Sequence, residues 1–537
     1  MKNNIKVLFA VALAAVLTTS CIDETEPMTS TVTAGQVGQS PAGLEGLVTS
    51  MNAQMTVYNT TGNGLHCDFG YPGMMLAFDM MGNDMATADP YYTWHSYWEE
   101  CQNMNYEYVA SRWFWTWYYA QIFNANSILA ATKEGPSAGI ARAYRAMCYL
   151  DMARMYEFKE NNYTTADQSI LGLTVPIVTE TMDMSQIANN PRATVEDTYA
   201  LIESDLLEAE TLFEGYKRPA KNTPDQTVVW GLLARMYLEK GARFNDKEAY
   251  TKAAQYARKA INSGVYAPLT QEQWYSKTTG FNSSTANNAW MWSVNTTSED
   301  DVVQTGIINW VSWMSAETTF GYANASGLSS PQKCIDKKFY ESIPATDWRK
   351  NSWIAPDYSN AAEYCIEGVE YAKKVMNPYC VLKFRPAQGE MNDFKVAAAV
   401  DIPLMRIEEM YLIEAEATGL AGGDGKTLLE NFVKTYRDPA YKYDSSVDLS
   451  TNVLKQKRIE FWGEGITFFD IKRLGMSINR GYSGTNHYDA ARFNTDGLAP
   501  WYNICINIRE LQNNAAFNND PAKCNPDPTE TVDLWME

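Results

Sequence analysis

From Val195 onward, apolar residues recur at Val195, Tyr199, Ile202, Leu206, Ala209 and Phe213, with spacings of four and three. That period places them on one face of a helix. Thr194, three residues before Asp197, reads as a variant of the capping box that opens such a helix. Further on, Trp230, Leu233, Ala234 and Tyr237 fit the W-x2-L-[GA]-x2-Y half of a tetratricopeptide (TPR) repeat. Gly241 is a candidate helix stop, and residues 246–262 read as the partner helix, ending at Gly264. The pair predicts a repeat unit that clamps the Trp230 ring between its helices. Weaker versions of the pattern occupy residues 141–158 and 407–418. The expected class is therefore mainly α, built from TPR-like helix pairs as an α-solenoid scaffold, with an ordinary helical bundle as the alternative.

Between about residues 266 and 400 the pattern changes to Asn, Ser, Thr, Gly and Pro interleaved with aromatics. Only short strand-like pieces such as 289–294 interrupt it, with Trp290 and Trp292 on one strand face and expected in the core. A loop-rich insertion of this length is uncommon unless it is functional, and loops on a rigid frame are where binding residues concentrate. Two aromatic clusters stand out. The first is Asn83-Asp84 followed by Tyr91, Tyr92, Trp94, Tyr97 and Trp98; the second is Asn309, Trp310, Trp313, Phe320 and Tyr322. Trp113, Trp115 and Trp117 precede the helical pattern of Ile122, Asn126 and Leu129, and read as core.

Chemistry narrows the picture. The chain of 537 residues carries a net charge of −20 without a basic block, which argues against nucleic-acid binding because that requires a cationic footprint. Residues 1–20 read as a secretory signal, with Lys2 and Lys6 ahead of the apolar run from Val7 to Leu17. Leu17-Thr18-Thr19-Ser20-Cys21 resembles a bacterial lipobox, so Cys21 is the expected lipidation site. The acidic stretch Ile22–Glu26 resembles the one that directs some Bacteroidetes-type lipoproteins to the cell surface, and also reads as a solvated tether. Of the eight later cysteines, Cys148 reads as a buried thiol and Cys505 with Cys524 as a candidate disulfide. Three histidines without ligand spacing make a His-based zinc site improbable, and no metal or cofactor is expected.

Four passages, in order, resemble the SusD/RagB family of outer-membrane lipoproteins. They are Ala141–Ala146 with Tyr149 to Tyr156 and Val175–Val178; Pro191–Val195 through Asp205–Ala209; Ile402–Glu409 with Ala415–Ala417; and Lys457–Phe461 with Gly463–Gly465 and Phe469–Leu474. Lys457 replaces a usual Glu, and Ile466-Thr467 departs from the family's pattern after the second Gly. The resemblance spans roughly residues 40–520. It implies a SusD-like fold: a signal peptide (1–20), a lipidated tether (21–40) and one domain (41–537). The helical part of that domain would cover about 41–265 and 401–475, the loop-rich insertion about 266–400, and an irregular C-terminal part about 476–537.

The resemblance also implies a glycan-binding protein anchored in the outer membrane and facing outward, which delivers oligosaccharide to a SusC-like TonB-dependent transporter. Sugars offer C–H patches on one ring face and hydroxyls at the edge, so their sites pair flat aromatic rings with amides or carboxylates. The candidate glycan-binding residues are Asn83, Asp84, Tyr92, Trp94, Tyr97, Trp98, Asn309, Trp310, Trp313 and Tyr322. Trp98 and Trp313 are the expected platforms, and Trp230 is expected to be structural. A peptide-binding RagB-like lipoprotein is the first alternative. A surface glycoside hydrolase is the weaker one, because Glu460 and Glu464 share a helix face but read as structural ion-pair residues.

Overall fold

The computed structural model describes residues 40–87, 93–279, 281–323 and 331–537. Its helices include α1 (Pro41–Gln54), α2 (Tyr71–Met80), α3 (Thr93–Glu99), α4 (Val109–Ala131), α5 (Gly135–Tyr156), α6 (Val195–Leu212), α7 (Gln226–Phe244) and α8 (Lys247–Ile261). Short α9 (Trp310–Met314) lies in the insertion, and α10 (Ile407–Leu420), α11 (Gly425–Tyr436), α12 (Leu449–Glu460) and α13 (Thr467–Leu474) follow it. Neighbouring helices pack in succession, α4 on α5, α5 on α6 and α7 on α8, with α8 against α10 and α10 against α11. The fold is mainly α-helical and assembled from helix pairs, as the periodicity predicts.

Local chemistry sets the helix ends. Thr194 caps α6 by accepting the Asp197 N–H at 3.0 Å, and the six apolar residues of its predicted face are all buried. Asp225 and Asp246 cap α7 and α8 through backbone N–H groups two and three residues on. Gly241 does not end α7. The helix runs to Phe244 and closes on Asn245 in the left-handed conformation. Gly241 is instead a packing position, since a Cβ there would lie 2.5 Å from Tyr250 Cδ1 of α8. Trp230 also departs from expectation: it is half-buried, donates Nε1 to Glu210 at 2.7 Å and lies under the Lys259 ammonium.

Among the described residues three two-stranded antiparallel sheets punctuate the helices. β1 (Met85–Thr87) pairs with β3 (Lys333–Ile335), β2 (Trp290–Asn295) with β4 (Asp401–Arg406), and β5 (Ser477–Asn479) with β6 (Asn494–Leu498). Trp290 and Trp292 are fully buried, as are Trp113 and Trp117. Cys148 is a buried thiol, but Cys505 and Cys524 form no disulfide. Their thiols donate separately to the Asn525 and Ile506 carbonyls.

A buried ionic network joins the insertion to the later helices. The Glu460 carboxylate accepts from Arg349, Arg406 and Arg437 at 2.7–3.0 Å, and Glu464 accepts from Lys383 and Arg406. Burial pushes the Glu460 pKa up, but the guanidinium groups of Arg437, Arg406 and Arg349 outweigh it and hold the carboxyl well below its ordinary range. Lys457, the departure from the family pattern, is buried and pairs with Asp470 at 2.9 Å, so its charge is met by a carboxylate.

The two ends of the described chain also meet. Arg458 grips Asp84 at 2.5 and 2.8 Å, Trp462 Nε1 donates to the Asp84 carbonyl, and Arg480 donates to the Met80 and Gly82 carbonyls. Trp501 Nε1 reaches the Met81 carbonyl across 420 residues of sequence.

Candidate ligand-binding site

One partly exposed aromatic assembly joins the segment before α2, helix α3 and the insertion. At its base Trp313 of α9 is 1% exposed and fixed by donation of Nε1 to the His66 carbonyl at 3.0 Å. Tyr322 stacks on Trp313 with centroids 4.1 Å apart and planes 17° from parallel. The chain reaches that position through Gly321, whose φ of +81° lies in the left-handed region and whose missing Cβ would sit 2.6 Å from Ser312 Cα. Ser312 Oγ then accepts the Tyr322 N–H at 3.1 Å, and its carbonyl accepts the Ala323 N–H at 2.7 Å.

Above this base the Tyr322 hydroxyl is hydrogen-bonded to His66 Nδ1. The His66 ring stacks against Trp94 of α3 with centroids 5.6 Å apart and 26° between planes. Tyr97, one turn along α3, meets Trp94 edge-on at 6.4 Å. His66, Trp94 and Tyr97 are all half-buried, so the assembly runs from a buried indole to rings open to solvent. Burial lowers the His66 pKa and favours the neutral imidazole, and a ring with its proton on Nε2 lets Nδ1 accept the Tyr322 O–H. The arrangement offers flat apolar faces bordered by a phenol and an imidazole, which can hydrogen-bond as well as stack.

Four of the ten sequence candidates, Trp94, Tyr97, Trp313 and Tyr322, come together here. Five of the others lie elsewhere. Trp98 is 1% exposed and packs against Trp113 and Phe114. Trp310 is buried edge-on to Phe384, and Asn309 caps α9 by accepting the Ser312 N–H. Asp84 is buried in its ion pair with Arg458, while Asn83 holds the backbone of Ser477 and Asn479. The expectation that Trp98 and Trp313 present open faces is thus corrected, because each ring is only 1% exposed. Tyr92 and Cys21 lie outside the described residues. His66 was missed, since a single histidine beside a Gly-rich turn carries no motif; only the assembled fold brings it against Trp94 and Tyr322.

A family model described as "Starch-binding associating with outer membrane" matches residues 66–238, and the SusD family model matches residues 242–521. No curated relative matches the chain. Among solved structures, a SusD-like carbohydrate-binding protein from Bacteroides vulgatus superposes with a TM-score of 0.66 at 23% identity, covering 89% of this chain and 97% of its own. A second SusD superfamily protein from that organism gives 0.64 at 22% identity, with 90% and 98% covered. Surface glycan-binding protein A from Bacteroides thetaiotaomicron, in complex with laminarihexaose, gives 0.61 at 16% identity, with 89% and 99% covered. These likenesses establish a shared fold. With the SusD model alone spanning more than half of its length, the chain belongs to the SusD/RagB family.

Proposed function

We propose that this protein is a cell-surface lipoprotein, anchored through Cys21, that captures oligosaccharide or polysaccharide without cleaving it and passes it to a SusC-like TonB-dependent transporter. The observation that carries the reading is the graded aromatic assembly. Trp313 and Tyr322 form its fixed base, and His66, Trp94 and Tyr97 its open faces. Rings held this way meet a sugar with little side-chain entropy left to lose. The non-catalytic part is supported by the ionic network: the two carboxylates closest to a glycosidase arrangement in sequence, Glu460 and Glu464, are buried and occupied by Arg and Lys partners. Of the candidates read from the sequence, Trp94 and Tyr97 are the proposed contacts, with Trp313 and Tyr322 as their support.

A binding screen of the purified protein against polysaccharides and peptides tests the reading, with laminarihexaose as the first probe because a glycan-binding protein of the same fold was solved in complex with it. Glycan binding without release of reducing ends is the expected result. Retention of peptides alone would move the assignment to the RagB-like alternative, and release of new reducing ends would overturn the non-catalytic part. Membrane fractionation of Cys21→Ala tests the anchor: the variant should leave the membrane fraction.

A further inference from the structure

A second cavity, sharing no lining residue with the aromatic assembly, opens at the C-terminal end of α5 among α6, α7 and α13, with a volume of about 520 Å³. That lies within the ~300–1,000 Å³ of small-molecule sites. We propose that it binds a small hydroxylated carboxylate, of which a hexuronic acid is the simplest carbohydrate example.

The charge balance of the lining carries the argument. Five cationic side chains face three carboxylates, in a protein whose net charge is −20. The Glu157 carboxylate is taken by Arg243 at 2.5 Å. Arg154 and Arg473 are neutralised from behind by Asp151 at 2.6 Å and by Asp470 and Glu416 at 2.7 and 2.9 Å, with Glu239 between the two at 3.6 and 3.9 Å, so the uncompensated charge of the lining rests on its lysines. Lys159 and Lys472 are left with no carboxylate within 4.0 Å among the described residues. Lys159 Nζ donates only to the Arg473 carbonyl, at 2.6 Å. Lys472 Nζ donates to the Met155 and Glu157 carbonyls at 2.9 and 2.8 Å, which satisfies the end of α5 and accounts for two of its three N–H groups. Burial pushes the Lys472 pKa down to about 7 and lowers that of Lys159, the direction expected of ammonium groups short of a counter-ion.

An independent observation points into the same space. Tyr199 is 4% exposed and lines the cavity, yet its hydroxyl has no hydrogen-bond partner among the described residues. The lysine pair calls for one negative group, and Glu239 disfavours a second while accepting from a ligand hydroxyl. Phe158, Leu171 and Phe469 give apolar wall for a C–H-rich body. Together these features select a singly charged, hydroxylated ligand over an inorganic anion.

Calorimetric titration of the full-length protein with D-glucuronate, D-glucose and sulfate tests the proposal. Glucuronate should bind at least about tenfold more tightly than glucose, the scale of a hydrogen-bonded charged group, and more tightly than sulfate. Tyr199→Phe and Lys159→Met should each weaken glucuronate binding about fivefold or more, with thermal melts confirming that both variants fold. Trp94→Ala should leave glucuronate binding intact. Equal binding of glucose, equal or tighter binding of sulfate, folded variants with undiminished affinity, or loss of binding in Trp94→Ala would each overturn the proposal. The last result would place the ligand on the aromatic assembly and leave the glycan-capture reading standing.

Discussion

Replacing Trp94 with alanine separates ligand recognition from folding at one position. The indole is half-buried, resting on His66 and touching Tyr97 edge-on, so part of its surface remains for a ligand to cover. A Trp side chain buries ~150–250 Å² in full. Leaving ~50–80 Å² of that to the ligand, at ~25 cal/mol per Å², gives ~1.3–2 kcal/mol of lost binding, a roughly 10- to 30-fold rise in Kd. The folded state loses a stack and an edge contact, each worth ~0.5–1.5 kcal/mol, so the melting temperature should fall by only a few degrees. Trp313→Ala is the contrast: that ring is enclosed and donates to the His66 carbonyl, so truncation should cost ~3–5 kcal/mol of stability. Calorimetric titration with the best glycan from the screen, paired with thermal melts, reads both quantities. If folded Trp94→Ala bound every such glycan as tightly as the parent protein, the site would not be at this assembly.

Three further outcomes concern the frame. Gly241→Ala gains ~1 kcal/mol of helix propensity but drives a Cβ to 2.5 Å from the Tyr250 ring, and at ~1–3 kcal/mol the overpacking dominates; an unchanged or raised melting temperature would refute the close α7–α8 approach. Glu460→Gln strips the shared counter-charge from Arg349, Arg406 and Arg437 and should cost ~3–5 kcal/mol in denaturant melts; a neutral effect would contradict the burial of the network. Burial holds the folded-state pKa of Lys333 and Lys383 at about 8 and that of Lys472 at about 7, against 10.5 unfolded. From pH 7 toward about 9 the unfolded chain therefore holds protons that the folded one has released, and stability rises with pH. Above about 9 unfolded thiols ionise while Cys67 and Cys101, pushed up to about 12 by burial, stay protonated, so stability falls again. Lys472→Met should flatten the rise, and a parent protein whose stability drops steadily from pH 7 to 9 would refute this linkage.

How far the sequence foretold the molecule varied with the range of the interaction. The start and buried face of helix α6 were legible to the residue, because the Thr194 cap and the i, i+3, i+4 spacing act within one turn. The partner helices α7 and α8 were legible as a pair, but Gly241 was misread: glycine marks either a helix end or a close approach, and only the position of Tyr250 decides between them. The aromatic stretches were found, but the facing of each ring was not. Trp94 and Trp98 are four residues apart on one short helix, yet Trp98 meets Trp113 and Phe114 while Trp94 meets His66. Those partners come from segments whose proximity local spacing does not encode. Asp84 and Asn83 likewise read as ligand groups until the C-terminal segment supplied Arg458, Ser477 and Asn479.

The clasp between residues 80–84 and 458–501 bears on the order in which the molecule can assemble. Asp84 waits for an arginine 374 residues later, and the carbonyls of Met80, Met81 and Gly82 for donors about 400 residues later. Contacts of such sequence separation are slow to form, and their loop-closure entropy is lost before they reward it. The segment carrying His66 and α2 thus cannot reach its final seat until nearly the whole polypeptide has emerged. A chain halted or clipped before Arg458 would keep its early helix pairs but lack the latch that positions the residues just after α2. On the proposed site, ligand competence is consequently a late event in biogenesis that follows synthesis of the segment through Trp501.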